Sequence, residues 1–356
     1  MSNIYSLDEQ FLKDTIKKGQ KLLLNPNTSK KRKKYIKDSI KTFERFLEGD
    51  YDLYPEDIPQ PKNINSLKNQ LLQNMRFAYT HLGEDAITWM IFLSETDIFY
   101  IPTDYEETEL SMEEQVSLTL KNYKKVSPSY YVIAKQIIES KNPPQIQETE
   151  YLSDSSYVHE CSISTLPFLI IDTMDAPWIF NHEMQHAIET YKRYKTNLFY
   201  TELGSQFMEI SFLEQLYQQQ GYINALDYAS RITDTYDNLQ TIKQYLEMIL
   251  LFSKKNFQIS TDEFIETLSD TSLVDEETLY YSLLAEYIDT DINPTIYYTI
   301  SYLKAIELYG QTKQVDIDKE IILSHYLKRP KFEYKRPTEG VKVYEKYISD
   351  MDKKTK

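Results

Sequence analysis

The chain of 356 residues carries 40 Lys and Arg against 55 Asp and Glu, a formal net charge of −15, and 41% of its residues are hydrophobic. That composition is globular rather than disordered, and its charge argues against nucleic acid or an anionic membrane as the main partner, because both need clustered Lys and Arg. A single cysteine, Cys161, excludes an internal disulfide framework and a multi-cysteine metal module, and seven glycines with no Gly-rich phosphate loop argue against a nucleotide enzyme.

The first residues, MSNIYSLDEQFLKD, contain no apolar core of signal-peptide type, and no run reaches the length of a membrane span, so a soluble, cytoplasmic protein is expected. Apolar residues recur at helical spacing over 7–24 and 30–48, with the basic run Lys30 to Lys34 on a solvated face. A Pro-rich stretch from Tyr54 to Pro61 precedes a helical segment over 64–95. Helices over 112–124 and 129–140 follow, the second ended by Pro143 and Pro144. Ser162 to Asp172, SISTLPFLIID, is a short β-branched and apolar run that reads as a strand. Asp175, Ala176 and Pro177 then open another helix. Further helices are expected at about 200–220, 223–231, 235–253, 261–268, 275–288 and 295–309. The fold is therefore expected to be mainly α with a small sheet. Residues 1–125 form an N-terminal helical region, continuous as one globular unit with a region over 126–330, and 331–356 form a charged tail.

The helix after Pro177 contains His-Glu-Met-Gln-His, residues 182 to 186. Positions i and i+4 share a helix face, so His182 and His186 can meet one metal ion, with Glu183 placed to polarise a water on it. Zinc accepts imidazole and carboxylate ligands and, in catalytic sites, takes three protein ligands and keeps one position open. The third ligand must come from elsewhere. Glu189, three residues past His186 on the same rigid helix, is poorly placed for the same ion. Of Glu202, Glu209 and Glu214 downstream, Glu202 and Glu209 share one face of the next helix with Gln206, and either can reach the metal. Glu202 follows His186 by sixteen residues, close to the minimum for two helices packed antiparallel across a short turn.

Glu202, Ser205, Gln206 and Glu209 fit the form Glu-x-x-Ser-(Gln or Thr)-x-x-Glu. Together with LPFLIIDTMDAPWIFNHEMQHAIE, this segment resembles the thimet oligopeptidase and oligoendopeptidase F family of zinc metallopeptidases, which are gluzincins. The resemblance implies a gluzincin-like catalytic domain with a small β-sheet flanking a deep cleft. It also implies one Zn²⁺ held by His182, His186 and Glu202, Glu183 as the catalytic base, and Glu209 hydrogen-bonded to a ligand histidine. In the family a strand edge pairs with extended peptide, and the matching segment runs from Ser162 to Phe168, which makes Ser162, Ser164 and Phe168 candidates for substrate contact. A late Tyr-rich helix in the family faces the zinc and supplies a tyrosine that stabilises the oxyanion. INPTIYYTISYLKAIELY, residues 292–309, is similar, with Tyr302 matching that tyrosine best and Tyr298 as a further substrate contact. The resemblance covers roughly residues 150–310. It departs from the family at Thr295, where many members carry a tyrosine, at Thr290 to Ile292, where no histidine occurs, and at Gln185, commonly glycine. The function it implies is hydrolysis of short unstructured peptides. Two other classes fit the sequence: a zinc-cleft peptide-binding protein that has lost turnover, and a helical interaction protein with a coincidental motif.

Overall fold

The structure is a computed structural model. It describes residues 4–6, 9–49, 61–95, 109–140, 145–149, 156–159, 166–172, 176–192, 202–220, 222–268, 276–289 and 292–311. These form four strands, β1 (Ile4–Ser6), β2 (Ile146–Thr149), β3 (Tyr157–His159) and β4 (Phe168–Asp172), and twelve helices among the described residues. The helices are α1 (Glu9–Leu24), α2 (Lys30–Leu47), α3 (Ile64–Leu82), α4 (Glu84–Ser94), α5 (Met112–Val126), α6 (Pro128–Ile138), α7 (Pro177–Lys192), α8 (Leu203–Gln220), α9 (Tyr222–Ser253), α10 (Thr261–Leu268), α11 (Glu276–Leu283) and α12 (Ile292–Gln311). A π-helical turn, Leu284–Asp289, follows α11.

Local chemistry sets several of these boundaries. Ser29 caps α2 by accepting from the Arg32 amide, and reciprocal capping boxes start α3 at Asn63 with Ser66 and α5 at Ser111 with Glu114. The expected helix over 64–95 is two helices, because Gly83 takes φ 82°, a left-handed conformation that ends α3 and turns the chain into α4. Conversely, the two helices expected over 223–231 and 235–253 are one, α9, which runs unbroken through the buried Ile232 and Tyr236.

The sheet has the order β1-β2-β4-β3, with β1, β2 and β4 parallel and β3 antiparallel to β4. Successive residues of β4 point to opposite faces. Phe168 and Ile170 join Leu12, Ile16, Ile36, Ile40, Phe43 and Phe46 in a core under the α1–α2 pair. Leu169 and Ile171 join the larger core, whose described members range from Ile64 to Tyr309. α7 lies in the middle of that core. Its face next to α5 is held by a buried polar contact, the Tyr123 hydroxyl donating to Gln185 Oε1 at 3.2 Å, and Gln185 is oriented within α7 by donating from Nε2 to Glu189 at 2.9 Å.

Two expectations for the sheet are corrected. The described strand begins at Phe168, after Leu166 and Pro167, and β4 is an interior strand paired on both sides. Phe168, expected as a substrate contact, faces the core instead. It is 1% exposed, and its ring packs edge-on against Phe11 at 5.7 Å and Phe43 at 5.8 Å. Ser162, Ser164, Cys161, His325 and the tail over 331–356 lie outside the described residues. Among the described residues, no helix is long and apolar enough to cross a membrane.

Candidate metal centre

Five polar side chains of α7, those of Asn181, His182, Glu183, Gln185 and Glu189, are each at most 8% exposed. Burying that many polar groups on one helix is costly unless each is partnered. His182 and His186 are partnered by α8. His182 Nδ1 meets Glu209 Oε2 at 3.1 Å, and His186 Nε2 meets Glu202 Oε2 at 3.0 Å. The pairs run in opposite directions along the two helices, so α7 and α8 are antiparallel. Glu202 sits immediately before α8, where its carbonyl accepts the Gln206 amide at 2.9 Å and the Ser205 hydroxyl at 2.9 Å.

Three ligand atoms converge here. His182 Nε2 and His186 Nε2 are 3.2 Å apart, and Glu202 Oε2 is 3.2 Å from the first and 3.0 Å from the second. His182, His186 and Glu202 can therefore hold a metal ion. Atoms at these separations all lie about 2.05 Å from one point set roughly 1 Å out of their plane, which is the ligand distance that zinc requires. The three ligands border a cleft. Behind His182, the fully buried Glu209 carboxylate accepts from Nδ1–H, which fixes the ring with Nε2 toward the centre.

The centre opens on a cleft of about 720 Å³ lined by the three ligands and by Ser156, Val158, Ala176, Trp178, Ile179, Glu183, Thr190, Arg231, Asp234 and Tyr298. Glu183 Oε1 lies 4.0 Å from His182 Nε2, on the cleft side. Val158 of β3 and Ser156 just before it flank the cleft, so the strand beside the centre is the edge strand β3 and not β4. One wall, Val158, Ala176, Trp178 and Ile179, is apolar.

Of the two tyrosines singled out on α12, the cleft receives Tyr298. Its ring stacks on His182 at 6.0 Å and 23°. Tyr302, one turn further on, is 1% exposed and does not line the cleft. Gln206 Nε2 donates to the Tyr298 carbonyl at 3.0 Å, which fastens α12 to α8.

Sequence reasoning missed Arg231, on α9. Its Nε donates to Glu209 Oε1 at 2.6 Å and its Nη2 to the Tyr298 hydroxyl at 3.4 Å, and its guanidinium lies 5.6 Å from the Tyr298 ring and 5.0 Å from the Tyr302 ring. It belongs to no motif, and its one prior signal is a cation on a helix that must bury part of itself.

The electrostatics follow from these contacts. Burial opposes charge on every group, and at His182, His186, Glu202 and Glu209 the pairings overcome it. His186 rises to about 9 because Glu202 faces it. Against its burial, hydrogen bonds to Glu202 and Glu209, with Glu183 close by, carry His182 well above its usual value. Glu202 is held well below the ordinary carboxylate range by His186 and His182, and Glu209 is lowered by Arg231 and His182. Burial pushes the Tyr298 phenol up, so it stays a proton donor at neutral pH.

Comparison of the chain with protein families, curated proteins and solved structures found no match.

Proposed function

We propose that this chain is a zinc-dependent metallopeptidase acting on short, unstructured peptides, of the kind that the resemblance to the thimet oligopeptidase and oligoendopeptidase F family implies. The observation that carries this reading is the convergence of His182, His186 and Glu202 on one point with a buried carboxylate, Glu183, on the open side of the same cleft. Zinc held by these residues supplies Lewis acidity and a fixed positive charge beside the scissile carbonyl. Glu183 takes the proton of the attacking water and returns it to the leaving amine. Tyr298, a neutral phenol stacked beside His182, donates a hydrogen bond to the developing oxyanion. That role passes to Tyr298 because Tyr302 is buried outside the cleft. The substrate backbone extends along β3, and an apolar side chain rests on Trp178 and Ile179.

The test is turnover of a quenched fluorescent peptide library by the zinc-loaded protein beside Glu183→Gln. The wild type should cleave a subset of peptides, and Glu183→Gln should keep its zinc and lose activity by about 10²-fold to 10⁴-fold. If both are equally inactive on every peptide while binding zinc, the chain is a zinc-cleft binding protein and the peptidase reading fails.

A further inference from the structure

Four side chains from four helices close a ring around one side of the centre. His182 on α7 hydrogen-bonds Glu209 on α8 at 3.1 Å, and Glu209 accepts from Arg231 on α9 at 2.6 Å. Arg231 donates to the Tyr298 hydroxyl on α12 at 3.4 Å, and the Tyr298 ring stacks back on His182 at 6.0 Å. We propose that Arg231 is a positioning residue that locks the Glu209–His182 pair and the Tyr298 hydroxyl into one geometry. This inference rests on the metal-centre reading and does not depend on peptide turnover.

The reason lies in the carboxylate. Glu209 has two oxygens and no exposure to solvent. Oε2 faces the ligand histidine and Oε1 faces Arg231, so the group cannot turn about its last bond without losing a partner on each side. Water has no access to replace either. Held at both ends, Glu209 presents one fixed acceptor to His182 Nδ1, and the imidazole keeps one ring orientation toward the centre. The same guanidinium holds the phenol through Nη2, with its carbon 5.6 Å from the Tyr298 ring and 5.0 Å from the Tyr302 ring. Lysine cannot do both, since an ammonium is a point charge with no planar fork and no flat face. The ring also accounts for a cation with limited exposure in a cleft wall, a placement that neutralising Glu209 alone does not require.

Metal binding by the full chain gives the test. Zinc affinity is measured by chelator competition, and ligand geometry by the visible absorption of the cobalt-substituted protein. Four variants are compared with the wild type: Arg231→Ala, Arg231→Lys, Glu209→Gln and the double variant Arg231→Ala/Glu209→Gln. Arg231→Ala should weaken zinc binding about tenfold to hundredfold, as loss of a group supporting a metal ligand does, and should change the cobalt spectrum. Arg231→Lys should recover only part of that loss. The double variant should bind no more weakly than Glu209→Gln, because Arg231 acts through Glu209. Millimolar guanidinium should restore affinity to Arg231→Ala and leave the wild type and Glu209→Gln unmoved. A charge partner that only stabilises the fold predicts otherwise: Arg231→Ala would melt earlier yet keep wild-type zinc affinity and spectrum, and that result overturns the proposal, as do additive losses in the double variant. Should Arg231→Ala fail to fold, Arg231→Lys carries the comparison, and an unchanged affinity and spectrum there refute it equally. A wild type that binds metal but cleaves nothing sinks the peptidase reading alone, and a wild type that takes up neither metal sinks both.

Discussion

Glu202 lies 3.2 Å from one imidazole nitrogen and 3.0 Å from another, and that contact sets the charge of all three groups. In the metal-free protein His186 titrates at about 9, raised from 6.5, so at neutral pH it holds a proton that a metal ion must displace. Two opposite pH dependences follow. A raised histidine contributes stability that is complete below 6.5 and disappears as pH climbs through about 9. Glu189, raised to about 7 by burial, adds a loss in the same direction between 4.5 and 7. Glu202 and Glu209, both lowered, act the other way, and their contribution is lost only as pH falls below 4.5. The metal-free melting temperature should therefore be highest in mildly acidic solution and fall steadily toward pH 9, while zinc affinity rises over the same interval. Calorimetric melting with and without chelator, together with proton release on titrating zinc into weakly buffered protein, measures both. A metal-free melting temperature that is flat between pH 6 and 9 contradicts this charge assignment.

At the scale of elements, the central strand shows what a sequence discloses and what it hides. Phe168 belongs to a core of its own with Phe11 and Phe43, on the sheet face away from the metal. Phe168→Ala should accordingly destabilise the fold by about 3–5 kcal/mol, as truncating a buried phenylalanine does, with zinc affinity unchanged. Chemical denaturation and chelator competition report the two quantities, and a weakened zinc site in a folded Phe168→Ala would return this residue to the cleft. The strand itself was legible, because Phe-Leu-Ile-Ile is β-branched and apolar, but its facing was not: with both sheet faces covered, apolar residues run continuously and alternation carries no signal. β3 has three residues and no period to read. Most helices were legible from spacing, and so was the pair His182 and His186, one turn apart on one helix, whereas spacing left Glu202 and Glu209 open and only the family resemblance pointed to Glu202. The choice between Tyr298 and Tyr302 was not legible. They stand one turn apart on the same face of α12, and spacing alone does not say that Tyr298 lines the cleft while Tyr302 is buried.

Across the whole molecule, the metal ligands join only two elements, α7 and the start of α8, while α1 and α2 rest on a separate apolar cluster beyond the sheet. Zinc bound to the folded state alone adds about 4 kcal/mol at a thousandfold excess over its dissociation constant. Where that energy is felt depends on whether the fold needs the ion to exist. Here the larger core runs from Ile64 to Tyr309 and buries Trp89, Tyr123, Tyr245 and Phe212 without help from the centre, so the fold should survive metal removal and loosen locally. Local opening is governed by the interactions that a segment loses. α7 loses the link through His182 and His186, α8 the link through Glu202, and α12 the stacking of Tyr298 on an ordered imidazole. Amide hydrogen exchange after chelation should therefore quicken in Pro177–Lys192, Leu203–Gln220 and the first turns of α12, and remain as it was in Glu9–Leu24 and Lys30–Leu47. Uniform acceleration everywhere would mean that the ion is a folding requirement, as in small zinc domains. No acceleration in α7 or α8 would mean that the three side chains do not hold a metal in solution, and the site would then be a buried His–Glu–His cluster held together by protons alone.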